Sequence, residues 1–170
     1  MAKSTTKKEN QERGTRNNSF QLSGLLARQS TDDRQARLVL TLVFIKFLGD
    51  RFNQRREKIV EETKAHGIDD EDFIKIQLQN SNQYQQDGVF FLCEECRWDK
   101  LIEIESNKMS LAFDNCIATL ETIEVGKDAH GNPVRPLKNA LPQQIFIKTA
   151  LEAGVLKKVL EQVQNYKECE

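Results

Sequence analysis

The sequence predicts an all-α fold: a compact bundle of five to seven helices around one long, largely buried central helix. Three observations predict it. Residues 33–66 contain no proline and a single glycine, Gly49. Met109, Phe113, Cys116, Ile117, Leu120 and Ile123 advance at helical spacing. All three prolines (Pro133, Pro136, Pro142) gather in one stretch, 126–142, and no convincing set of strands is present. At 170 residues, 38% hydrophobic, the chain can bury a core without a disulfide or metal staple.

Taken in order, residues 1–18 read as a disordered basic arm, and 19–170 as a single helical domain. Ser19 starts a short helix carrying Leu22, Leu25 and Leu26, weakened by Gly24. Ser30, Thr31, Asp32 and Asp33 then supply caps and first-turn acids for the long helix, which Gly67 stops. Its first half is apolar almost all round, from Leu38 to Phe47 and Leu48, which places it mid-bundle. Its second half turns polar and is expected to project towards solvent. Asp69 caps a helix carrying Phe73 and Ile76, and residues 80–88 read as a polar loop. A short apolar run, 89–92, leads into a helix with Trp98, Leu101 and Ile102 on one face. The Met109–Ile123 stripe follows, then the proline loop. A last helix carries Leu156, Val159, Leu160 and Val163.

Several function classes are excluded. The longest apolar stretch, residues 38–48, is interrupted by Thr41 and Lys46 and is too short to span a bilayer. No apolar run follows the first lysines, so no secretory signal is visible and the chain reads as cytoplasmic, its four cysteines reduced. The net charge of −1 hides an asymmetry: residues 1–58 hold 13 basic and 6 acidic residues, and 59–170 hold 12 and 20. Such a split suggests a basic surface for one partner, or two solvated faces folded against each other.

No catalytic constellation is visible. Cys93-Glu94-Glu95-Cys96 lacks the second ligand pair that zinc needs, because Cys116, Cys169, His66 and His130 are isolated. Cys116 sits on an apolar stripe, where a thiol packs as a small hydrophobe. Gly126 and Gly131 are not followed by Lys-Ser/Thr, and Gly-x-Gly occurs nowhere. Glu94-Glu95 and the acids at 69–72 lie where helix starts favour negative charge. The chain therefore presents no catalytic, cofactor-binding or metal-ligating residues. Arg51, Arg55 and Lys58 fall on one helix face with Arg56 on a neighbouring one, and these four are the candidate DNA contacts. The alternative is a solvated face with Lys58 paired to Glu62.

The segment from Leu38 through Phe47-Leu48-Gly49-Asp50-Arg51-Phe52 resembles the signature helix in the N-terminal domain of type I restriction–modification M (modification methyltransferase) subunits. Phe90-Phe91-Leu92-Cys93-Glu94-Glu95-Cys96-Arg97-Trp98 resembles the family's apolar-Pro-x-x-Ala-Arg-Trp segment. Leu111-Ala112-Phe113-Asp114 and Glu121 are similar to its next helix. The resemblance spans about residues 20–165. Gly49 replaces a usual Ser, as a tolerable core or cap change, and the two cysteines become packing substitutions. Asn132-Pro133-Val134 lacks the second proline and aromatic of the family's adenine-binding motif, so the catalytic domain is not expected in this chain.

The resemblance implies a helical domain that helps enclose DNA, weakly and non-specifically, and meets the catalytic domain and the specificity and restriction subunits. It implies no cofactor for this chain, and for the parent subunit an adenine-N6 DNA methyltransferase using S-adenosylmethionine. The rival is a stand-alone helical scaffold or adaptor without DNA contact.

Overall fold

The computed structural model describes residues 33–165; the basic arm, the Ser19 helix, the caps at 30–32 and Cys169 lie outside the described residues. Helix α1 spans Asp33–Ala65. It is followed by α2 (Glu71–Gln79), α3 (Ser81–Gln85), a 3₁₀ turn (Glu94–Cys96), α4 (Trp98–Glu103), α5 (Ser106–Leu120), α6 (Ile145–Thr149) and α7 (Ala153–Gln164). The all-α bundle is as predicted, with α1 packed against α2, α3, α4, α6 and α7. No helix among the described residues is long and apolar enough to cross a membrane.

Gly67 ends α1 at φ +77°, its N–H donating to the Lys64 carbonyl at 2.8 Å and the Ile68 N–H to Thr63 at 3.3 Å. That pair of bonds satisfies two otherwise orphaned carbonyls. Burial along α1 follows one stripe: Leu38, Leu42, Ile45, Leu48, Phe52, Arg55, Ile59 and Thr63. Two expectations change. Leu40 is 68% and Phe47 38% exposed, so the apolar first half is not covered all round. The second half does not project into solvent, because α2 and α3 pack on it.

These two helices also depart from the reading. Asp70 is the cap of α2, accepting from Asp72 N at 2.9 Å and Phe73 N at 3.0 Å. Ile74 faces the core while Phe73 and Ile76 are exposed. Residues 80–88 are not wholly loop: Asn80 caps α3, and Tyr84 is fully buried. One aromatic supplies enough apolar area to dock an otherwise polar turn.

The α5 stripe is buried from Met109 to Leu120, with Ile123 half-buried beyond the helix end. Helix α6, absent from the sequence reading, enters and leaves through left-handed residues Gln144 (φ 55°) and Ala150 (φ 47°). It buries Ile145 and Phe146, the latter stacked on Phe113 with centroids 5.0 Å apart. Asp114, buried on α5, accepts from the Phe146 N–H at 3.2 Å and the Ile147 N–H at 2.9 Å. A carboxylate from another element thus caps α6.

Candidate functional site

The four candidate cations do not share one environment. Arg51 and Lys58 are exposed on the second half of α1, and with Gln54, Asp87 and Val89 they border a groove of 310 Å³. Arg55 forms its floor, not its rim. Its side chain is 6% exposed, with Nη1 on Glu62 Oε1 at 2.8 Å and Nε facing Asp87 Oδ2 at 3.0 Å and the Gln83 carbonyl at 2.9 Å. Arg55 therefore ties α1 to the turn after α3 and is not open to a phosphate backbone. Glu62, the expected partner of Lys58, is taken by Arg55.

Arg56 is half-buried on the other flank of the buried stripe, its Cζ 5.8 Å from the Phe52 ring centroid. Phe52 stacks on Tyr84 at 4.8 Å with ring planes 14° apart, and Phe91 meets both edge-on. Arg97, which begins α4, brings a second guanidinium over the same ring at 5.4 Å. The sequence reading used Arg97 only as part of a motif; its place directly before a buried Trp was the available signal. Burial raises the Tyr84 phenol above its ordinary value, opposed by Arg56, Arg97 and Arg55, and its O–H donates to the Leu78 carbonyl at 2.7 Å.

Cys96, 1% exposed, is as deeply buried as Cys116 at 2%, and its thiol faces the Cys116 carbonyl at 3.7 Å. Cys93 lines a neighbouring groove of 840 Å³ with Glu94, Glu95 and Glu103. Burial, followed by contact with Cys96, pushes the Cys93 thiol up to about 12. Thiols so held resist becoming the thiolates that metal binding and redox exchange require. No group of His, Cys, Asp or Glu among the described residues is arranged to hold a metal.

Residues 28–163 match the family described as the HsdM N-terminal domain. The chain belongs to this family. It is also 33% identical over 89 residues to the type I restriction enzyme MjaIX methylase subunit of Methanocaldococcus jannaschii. That alignment covers 49% of this chain and 16% of the relative, so the chain spans a minor part of the relative's length.

Within this HsdM N-terminal domain, Gly126 and Gly131 flank an exposed turn closed by the Lys127–Pro133 bridge. Its amides are already used: Asp128 accepts from His130 N at 2.8 Å and Asn132 N at 2.9 Å, and these bonds hold its carboxyl below the usual range. No strand leads into a helix at this turn among the described residues.

Gly49, the position read as a tolerable change, has a tertiary reason. A Cβ on it would lie 2.9 Å from the Trp98 Cβ. The HsdM N-terminal domain brings α1 and α4 together at this point.

Proposed function

We propose that this domain serves a type I restriction–modification subunit by helping to enclose DNA and by seating the catalytic domain against the specificity and restriction subunits. In this reading the parent subunit methylates adenine N6 in the cytoplasm with S-adenosylmethionine, and the specificity subunit selects the sequence. Family membership and the relative's printed role as a methylase subunit support it. The observation that carries the DNA part is the exposed Arg51–Lys58 edge on a helix whose core-facing stripe is otherwise fully occupied.

The test is binding of the 170-residue chain to a duplex of arbitrary sequence at rising salt. With Arg55 withdrawn, a few phosphate contacts remain, so log K should fall against log salt with a slope of roughly −2 to −4, and Kd should be no tighter than about 10⁻⁶ M at physiological salt. Arg51→Ala with Lys58→Ala should flatten that slope. Absent or salt-independent binding would favour the scaffold alternative.

A further inference from the structure

Two guanidiniums over one phenyl ring, both without a carboxylate in hydrogen-bond range among the described residues, call for an anion. Arg56 and Arg97 come from separate elements, α1 and the start of α4, and lie 5.8 and 5.4 Å from the Phe52 centroid. Tyr84 stacks on this ring, and Phe91 borders it edge-on, so the cluster is rigid as well as cationic. Arg55 adds a third positive charge near the Tyr84 phenol, but its guanidinium is committed to Glu62 and Asp87. The Nε of Arg97 is buried and has no hydrogen-bond partner among the described residues. Glu95 is the carboxylate that senses Arg97. Its pKa is lowered first by its own backbone amide, then by Cys93, and only afterwards by Arg97. It is exposed and forms no ion pair with Arg97 among the described residues.

Holding like charges together in a half-buried site is unfavourable unless a ligand neutralises them, and a planar guanidinium fork matches the oxygens of a phosphate. We propose that Arg56 and Arg97 form a two-arginine site for one phosphate group, on the flank of α1 away from Arg51 and Lys58. The source favoured by the DNA reading, on which this assignment rests, is a backbone phosphodiester. The other source is free phosphate.

The experiment combines two readouts on the full chain. Duplex binding is measured against salt for the wild type, Arg56→Gln, Arg97→Gln and the double variant. In parallel, the Arg97 Nε–Hε resonance is followed by NMR during titration with inorganic phosphate and with the duplex. Because both arginines hold the same phosphate, each single variant and the double variant should lose the same slope, about 0.9 of a unit. The Arg97 resonance should shift saturably with duplex.

A wild type that binds DNA while all three variants keep its slope overturns the site and leaves the DNA reading standing. A wild type that ignores DNA but shifts its Arg97 resonance with inorganic phosphate supports the site and assigns it to free phosphate, against the DNA reading. No shift with either titrant overturns the site. If the Gln variants melt early, Arg56→Lys and Arg97→Lys keep charge over Phe52 but remove the fork. They should then weaken the titration several-fold at unchanged Tm, read on the Arg97 resonance in Arg56→Lys and on the Arg56 resonance in Arg97→Lys, and an unchanged titration in both would overturn the site.

Discussion

Arg55 lies one turn from Arg51 and one turn from Lys58, yet it alone of the three is buried, with bonds to Glu62, Asp87 and the Gln83 carbonyl. Its partners keep roughly half of their exposure, so they can return to water when the guanidinium is removed. Arg55→Ala should therefore cost about 1–3 kcal/mol, because the part-buried Gln83 contact and the packing of the stem are lost while the carboxylates are rescued. Arg51→Ala and Lys58→Ala should stay within about 0.5 kcal/mol. Urea unfolding of the three variants checks this; equal effects would mean that Arg55 is not the tie between α1 and the α3 turn. The same burial means that a DNA-binding test on Arg55 would read folding as much as contact.

At the scale of elements, the meeting of α1 and α4 depends on the absence of one methyl group. Gly49→Ala gains about 1 kcal/mol of helix propensity. It also drives a Cβ to 2.9 Å from the Trp98 Cβ, an atom fixed to backbone rather than a mobile tip. Overpacking of this kind costs about 1–3 kcal/mol, so the net result should be a loss of up to about 2 kcal/mol, seen as a lower urea midpoint at unchanged slope. A gain in stability would show that α4 moves away freely. The packing of α3 on α1 works differently, through Tyr84 rather than through close backbones. Tyr84→Ala should cost about 3–5 kcal/mol, as other buried aromatic truncations do, and thermal or urea unfolding against wild type measures it.

At the scale of the whole molecule, three buried or half-buried acids among the described residues have folded pKa values above their ordinary ones. Burial raises Tyr84 and Cys93, while Cys96 is raised first by its hydrogen bond with Cys116 and then by burial. A protonated group with a raised folded pKa contributes stability that is complete below its unfolded pKa. That contribution is lost as pH rises, because the unfolded chain ionises first. For Cys93 the window runs from its ordinary 9.0 to about 12. Stability should accordingly decline between about pH 9 and pH 11, and Cys93→Ser should make the decline shallower, since Ser does not titrate there. Thermal melts across that range measure it, and a flat profile would refute the raised thiols and phenol.

The long helix, the α5 stripe, the proline loop and the last helix were all legible in the sequence. Each follows from local rules: absence of proline, a 3.6-residue apolar period, and a glycine able to take φ +77° at a helix end. The family was legible for a related reason, because ordered core motifs survive as residue strings. What the sequence left open depended on partners distant along the chain. Residues 81–85 form a helix because Tyr84 meets Phe52 and Phe91, and α6 formed where Asp114 could cap it. Arg55 turned inward because Asp87 and Gln83 were brought to it, and Arg97 joined Arg56 because α4 crosses α1 at Gly49. Helical periodicity specifies which residues share a face, but only the packing of other elements on that face decides which charges remain in water.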